Sequence, residues 1–176
     1  MIVSKRFASK ALRAAVTIAL TSCDLLSPSA HANVPFKAAG MKGASAQVEF
    51  YVAAPKTYFF YLNLHYLKGN REDQERVSRL LDSWAQRNGQ PVKLGPPIPL
   101  HLTISRMDND RSEVVLDGQY AQHKLDGHGD DYFSDLIAFK SLQPGHYRAQ
   151  IIEMEDAPPL QSVPVRFDVH VPGHPT

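Results

Sequence analysis

The chain has 176 residues, enough for one domain with a sizeable core, and its composition of 43% hydrophobic and 21% charged residues is that of a globular protein. Four of its 19 basic residues precede Ala14, which leaves 15 basic against 18 acidic side chains in the remainder. This slightly negative balance excludes the basic surface that nucleic-acid binding requires. The single cysteine excludes a disulfide within the chain.

The N-terminal segment predicts export. Basic residues precede a short apolar run at 14–20, which falls short of the roughly 20 residues that a bilayer span requires. Leu20-Thr21-Ser22-Cys23 resembles the bacterial lipobox, so we predict a signal peptide over 1–23, lipidation of Cys23 and a membrane-anchored periplasmic lipoprotein. The alternative is cleavage after Ala32, because Ala30-His31-Ala32 resembles an ordinary cleavage site, and release as a soluble periplasmic protein.

Residues 24–45 are rich in small side chains and predict a flexible tether, with Val34 and Phe36 as candidates for pairing at a sheet edge. Two strands follow, at 46–54 and 58–67, each with alternating apolar residues. We expect them to be antiparallel neighbours, with the second, aromatic strand near the middle of a sheet. Its second face carries Phe59, Tyr61, Asn63 and His65, which are buried polar groups with partners if the face is covered, or a recognition patch if it is open.

The spacing of apolar residues changes after Asn70, from alternation to a helical repeat. Apolar residues at i, i+3, i+4 and i+7 predict one amphipathic helix over about 71–87, capped by Asn70 and closed by Asn88-Gly89. Trp84 lies on the apolar stripe and is interpreted as a core residue, with ligand stacking as its alternative role. The four prolines of 91–99 exclude a central strand there.

The second half of the chain predicts more strands. Candidates lie at 100–105, 113–116, 136–139, 146–151 and 163–171, and the polar, aperiodic stretch 119–134 predicts a long loop. In the final strand the valines and Phe167 are predicted to point inward, with Arg166, Asp168 and His170 outward. Helices and strands do not alternate, which excludes a doubly wound sheet.

Leu142-Gln143-Pro144-Gly145-His146-Tyr147 resembles a corner found in immunoglobulin-like and transthyretin-like sandwiches. In those folds the proline and glycine set the turn and the tyrosine packs beneath it. The resemblance and the strand pattern predict a mainly β protein, an antiparallel immunoglobulin-like or transthyretin-like β-sandwich over 46–172 with one amphipathic helix.

Candidate metal ligands cluster within the predicted loop. His123, Asp126, His128 and Asp130 lie close in sequence, but the segment has no period that would align them and glycines flank His128, so we predict no metal site and no cofactor. No nucleophile motif is present, and the cysteine belongs to the export signal. The sequence therefore predicts a protein that is not an enzyme.

The chain resembles a family of small secreted proteobacterial proteins, many of them lipoproteins, with a single β-sandwich domain of unknown function. The resemblance lies in LTSC, FYVAAPKTYFFYLNLHY, PPIPLHLTISR and LQPGHYRAQI. It implies a non-enzymatic envelope module that binds another protein, and some relatives resemble immunity proteins against toxins delivered into the periplasm. The candidate binding residues are Phe59, Tyr61, His65 and Trp84. The alternatives are a metal-binding or carbohydrate-binding periplasmic protein and an accessory subunit of an envelope complex.

Overall fold

Two antiparallel sheets pack face to face in the computed structural model, which describes residues 31–81, 84–87, 90–93, 98–108, 111–121 and 124–171. The strands are β1 (His31–Pro35), β2 (Ser45–Val52), β3 (Lys56–His65), β4 (Trp84–Arg87), β5 (Gln90–Lys93), β6 (Leu100–Asp108), β7 (Arg111–Tyr120), β8 (Lys124–His128), β9 (Tyr132–Leu142), β10 (Gly145–Glu153) and β11 (Val165–His170). One helix, α1 (Arg71–Ser78), and a 3₁₀ turn, Pro158–Ser162, complete the described elements. The predicted mainly β sandwich is confirmed.

The larger sheet has the strand order β1-β11-β3-β9-β8, and the smaller has the order β2-β10-β6-β7. β3 is central in the five-stranded sheet, as predicted. The prediction that β2 and β3 are neighbours is wrong, because they belong to opposite sheets. Ala53-Ala54-Pro55, which links them, contains none of the glycine or asparagine residues that tight hairpin turns require, and the chain crosses from one sheet to the other instead.

One apolar core fills the space between the sheets. Phe50 of β2 contacts both Tyr58 and Phe60 of β3, with ring centroids 5.3 and 6.4 Å apart. The inward residues of β11 that the alternation predicted are buried, Phe167 and Val169 among them. Fully buried members of the core from both sheets are Val52, Phe60, Leu62, Leu64, Leu100, Leu102, Ile104, Ala149, Ile151 and Phe167.

The predicted tyrosine corner is present between β9 and β10. Tyr147 is 2% exposed, and its hydroxyl donates a hydrogen bond of 2.9 Å to the carbonyl oxygen of Gln143. Its ring stacks on Phe50 of the opposite strand at 5.8 Å. The corner therefore ties the turn to the core of the sandwich.

The helix is shorter than predicted. α1 ends at Ser78, and residues Trp84–Arg87 form β4, which pairs with β5 in a separate two-stranded sheet. Arg87 pairs with Gln90. Asn88-Gly89, predicted to close the helix, lies outside the described residues, and its sequence is a signal for a helix end and for a hairpin alike. The described residues hold no helix with the length and apolar character needed to cross a bilayer.

Two further predictions need correction. Residues 31–45 of the predicted 24–45 tether belong to the folded body, because β1 pairs with β11 and Phe36 is 4% exposed. The expected pairing at a sheet edge is nevertheless present there.

The predicted loop at 119–134 contains β8. Its sequence does not show the period-two pattern, because a register shift occurs between Leu125 and Gly127.

Candidate functional site

The face of the five-stranded sheet that points away from the core carries the most concentrated polar chemistry in the described residues. We call it the outer face. Strand alternation places Phe59, Tyr61 and Asn63 of β3 on it, together with Asp168 and His170 of β11. The face is partly covered, because Asn63 is 3% exposed and Tyr61 is 7% exposed.

A buried carboxylate lies at the centre of the outer face. Asp168 was predicted to point outward and does so, yet it is only 1% exposed. The amide nitrogen of Asn63 donates to Asp168 Oδ2 at 3.0 Å, and the hydroxyl of Ser134 on β9 donates to Asn63 Oδ1 at 2.9 Å. This chain of hydrogen bonds fixes the orientation of the carboxylate, since each donor is itself held by the next strand.

Two histidines border this carboxylate. His31 Nε2 lies 2.7 Å from Asp168 Oδ1, and His170 Nδ1 lies 3.4 Å from Asp168 Oδ2. The sheet creates the arrangement, because Asp168 and His170 are two residues apart on β11 and His31 of β1 is the direct cross-strand partner of His170. One ligand atom from each of these three residues lies within 4.8 Å of the others. We call His31, Asp168 and His170 the His–Asp–His cluster.

Aromatic rings continue across the outer face from the cluster. Tyr61 stacks on His170 with centroids 4.8 Å apart and planes 8° apart. Phe59 stacks on Tyr61 at 6.2 Å and on Phe139 of β9 at 5.8 Å, and Phe139 is 65% exposed. We call Phe139, Phe59 and Tyr61 the aromatic row. It presents apolar surface to solvent at one end and reaches the His–Asp–His cluster at the other.

The hydroxyl of Tyr61 is fixed by a carboxylate. It donates a hydrogen bond of 2.8 Å to Asp126 Oδ2 on β8. Burial, followed by this hydrogen bond and the negative charges of Asp126 and Asp168, raises the pKa of Tyr61 well above its usual range. Tyr61 is therefore a neutral hydrogen-bond donor at physiological pH, and its ring is held in place against His170.

The predicted binding residues are only partly brought together. Phe59 and Tyr61 meet in the aromatic row, whereas His65 packs against Tyr132 with ring centroids 5.3 Å apart, and its Nδ1 lies 3.7 Å from Asp131 Oδ2. His65 also lines a cavity of about 460 Å³ beside β1 and β11. The side chain of Trp84 and residue Cys23 lie outside the described residues.

Of the weak metal candidates of the sequence, Asp126, His128 and Asp130 belong to no group of metal ligands in the described part of the chain. Asp126 accepts from Tyr61, and Asp130 pairs with Lys68 at 2.7 Å, an ammonium that lowers the pKa of Asp130. His128 is exposed on β8, and His123 lies outside the described residues.

The His–Asp–His cluster was not predicted from the sequence, because His31 was assigned to a tether. The alternation of Asp168 and His170 was the available signal.

Comparisons with known proteins identify a family and a fold. The family model of DUF5625, described as a domain of unknown function, matches residues 33–171. A crystal structure of GEBA250068378 from Sulfurospirillum deleyianum is similar, with a TM-score of 0.63 and 19% identity over 82% of this chain and 98% of that one. At that identity the likeness shows the fold alone.

A second solved structure, the pre-peptidase C-terminal domain of a collagenase from Bacillus anthracis, has a TM-score of 0.30 and 10% identity over 80% of this chain and 86% of that one. No curated protein matches the chain.

Proposed function

We propose that this chain, which belongs to the DUF5625 family, is a non-enzymatic binding module that is held in the cell envelope by a lipid on Cys23. The observation that carries the proposal is the aromatic row, which leaves Phe139 65% exposed beside the half-buried Phe59. Exposed aromatic rings that rest on a rigid sheet are typical of protein recognition sites, where a few aromatic anchors contribute most of the affinity.

Binding rather than catalysis is favoured by the hydrogen bonds of the outer face. The hydroxyl of Ser134 donates to the Asn63 amide, so its proton is not directed at a histidine that could act as a base. The phenol of Tyr61 is engaged by Asp126 in the same way. The Ser134 and Tyr61 hydroxyls therefore orient neighbouring side chains of the outer face.

The lipid anchor is supported by the position of β1. His31 and Ala32 pair with His170 and Val169 of β11, so cleavage after Ala32 would remove two residues from the edge of the sheet. Cleavage at Cys23 keeps the whole strand. Seven residues, 24–30, would then separate the lipid from β1, and at about 3.5 Å per residue they allow the domain to lie at most roughly 25 Å from the membrane.

Cys23→Ser tests the anchor. The wild-type chain is expected to incorporate labelled palmitate and to partition into detergent, because the acyl chains supply the membrane affinity. The Cys23→Ser variant should lose both properties. A wild-type mature protein that is soluble and begins at Asn33 would contradict the lipid anchor and would leave the binding proposal standing.

We propose another protein as the partner, and immunity to a toxin that neighbouring cells deliver into the periplasm as its sharper form. The negative balance of the chain without its leader, 15 basic against 18 acidic side chains, suits a basic toxin better than an anionic polymer. The immunity role rests on analogy with similar small lipoproteins. A toxin encoded by a neighbouring gene would support it directly.

Capture from envelope extracts tests the partner surface. Wild-type protein and Val114→Ala, a control at a position 56% exposed on the four-stranded sheet, should recover the same protein, while Phe139→Ala should lose it. Equal recovery by all three proteins, or recovery of abundant porins alone, would contradict the assignment to the aromatic row. Recovery of one larger assembly would favour an accessory subunit. Stabilisation by glycans, without a protein partner, would favour carbohydrate binding.

A further inference from the structure

We propose that His31, Asp168 and His170 bind one zinc ion on the outer face. This inference goes beyond the binding module proposed above and rests on a different observation, the His–Asp–His cluster. His31 is on the edge strand β1, and Asp168 and His170 are on its neighbour β11, so all three ligands lie on paired, rigid strands. Sites built on sheet strands hold their ligands more precisely than sites built on loops.

The cluster leaves polar atoms that protein groups do not satisfy. Asp168 Oδ1 and His170 Nδ1 are both buried, and neither has a hydrogen-bond partner among the described residues. His31 Nε2 lies 2.7 Å from Asp168 Oδ1, but the direction of the contact is not that of a hydrogen bond. A buried carboxylate oxygen without a partner is costly, and a cation at this point would remove the cost.

Nearby positive charge does not supply that cation. Arg166 also lies on the outer face, but its guanidinium donates to the side-chain oxygen and to the carbonyl of Asn33. Asp168 has hydrogen bonds and ion pairs with Asn63, His31 and His170 in the described part of the chain. The two imidazoles are therefore the groups that face the carboxylate, and they are neutral when they bind a metal.

The surrounding residues have the organisation of a metal site. Asn63 and Ser134 hold the carboxylate through Oδ2, which leaves Oδ1 directed at His31. Tyr61 holds the ring of His170 by stacking. Groups of this kind orient the ligands of a metal and raise its affinity, and their loss typically weakens binding about 10-fold to 100-fold.

The ligand set suits zinc. Two imidazoles and one carboxylate are ligands of Zn²⁺ and related transition metals, whereas Ca²⁺ and Mg²⁺ prefer oxygen ligands alone. Tetrahedral zinc requires its ligand atoms to be roughly 3.3–3.5 Å apart, given bond lengths near 2.0–2.2 Å. The 3.4 Å contact between His170 Nδ1 and Asp168 Oδ2 lies in that range. The 2.7 Å contact between His31 Nε2 and Asp168 Oδ1 is shorter, and side-chain rotation of His31, which is 41% exposed, can lengthen it. A fourth position remains for water or for a group of a partner.

Zinc titration against a chromophoric chelator tests the site, with the full chain carrying Cys23→Ser so that no free thiol competes, and without a histidine tag. We expect one zinc per chain. His31→Ala and Asp168→Asn should each lower the affinity at least about tenfold, since each removes a ligand. His101→Ala is the matched control. His101 also contacts an aspartate, Asp117, but among the described residues it belongs to no group of three side chains that could hold a metal ion. This variant should bind zinc as wild type does.

Two results would overturn the zinc site: no zinc bound to wild type, or equal zinc affinity in the His31→Ala and His101→Ala variants. If wild type binds no zinc and His31→Ala changes the midpoint of unfolding in urea, the cluster is a structural ion pair. A chain that begins at Asn33 should bind no zinc, because it lacks His31. Failure of the zinc site leaves the aromatic row untouched, since Phe139→Ala tests that surface separately.

Discussion

Two phenylalanines on neighbouring strands, Phe60 of β3 and Phe139 of β9, lie on opposite faces of the five-stranded sheet. Phe60 is 0% exposed and contacts Phe50 across the core, whereas Phe139 is 65% exposed in the aromatic row. The same kind of side chain therefore stabilises the fold at one position and is exposed to solvent at the other.

Phe60→Ala should lower the free energy of unfolding by about 3–5 kcal/mol, because it removes buried surface and leaves a cavity. Phe139→Ala is the control and should change it by no more than about 0.5 kcal/mol. Urea unfolding of both variants measures the difference. Similar losses for the two variants would mean that the faces of β3 and β9 have been assigned incorrectly.

Glu153 is a buried acid at the end of β10. It is 1% exposed, and its Oε2 accepts a hydrogen bond of 2.8 Å from the backbone N–H of Gly40. Gly40 has φ of +91°, and a Cβ there would lie 2.7 Å from the carbonyl oxygen of Ala157, so glycine is required for this approach. Burial raises the pKa of Glu153, although the hydrogen bond from Gly40 opposes the shift.

Glu153→Gln should make the protein more stable than wild type at pH 7 and should lose that advantage as the pH falls. A raised pKa means that the folded state holds the proton more tightly than the unfolded state, whose value is near 4.5. Wild type therefore loses stability as the pH rises from about 4.5 through the folded pKa, while the amide variant does not. Urea unfolding between pH 4 and 8 measures the difference, with the exposed Glu155→Gln as control. A difference that does not change with pH would contradict the assignment.

At the level of elements, α1 depends on its first turn. The side chain of Asn70 accepts from the backbone N–H of Asp73 at 3.0 Å, and Asp73 in turn accepts from the backbone N–H of Leu67 at 2.7 Å. Val77 is the buried residue of this eight-residue helix. Short helices with little burial rely on such capping bonds, because helix nucleation is unfavourable in water.

Asn70→Ala should therefore lower the free energy of unfolding by about 1 kcal/mol. Asn70→Ser should keep most of the stability that the cap contributes, since serine is an equally good cap. Chemical denaturation of the two variants measures their free energies of unfolding. No loss in Asn70→Ala, or the same loss in both variants, would show that the side-chain bond to Asp73 does not stabilise the helix.

The inner faces of the sheets were predictable from the sequence, because a period of two marks each strand that buries one side. The end of α1 was not, since Leu80 and Leu81 continue the helical spacing and Asn88-Gly89 suits either a helix end or a hairpin. Two of the three residues of the His–Asp–His cluster could also be placed from the sequence. Asp168 and His170 share a face by alternation, but the pairing of His170 with His31 depends on strand order, which the local sequence does not specify.

At the scale of the whole molecule, both sheets share one core, and we expect a single cooperative unfolding transition. Ile104→Ala on β6 and Val169→Ala on β11 remove buried side chains from opposite sheets, and both should lower the midpoint without changing the denaturant slope. Far-ultraviolet circular dichroism and tyrosine absorbance should give coincident curves. Two separated transitions in either variant would mean that the sheets unfold independently.

The place of β11 has a consequence for how the chain folds during synthesis. β11 lies between β1 and β3, so the first strand has no partner in its sheet until residues 165–170 have emerged from the ribosome. A chain that emerges with its N-terminus first therefore cannot close the five-stranded sheet part-way through. Completion of the five-stranded sheet therefore waits for nearly the whole domain to be synthesised.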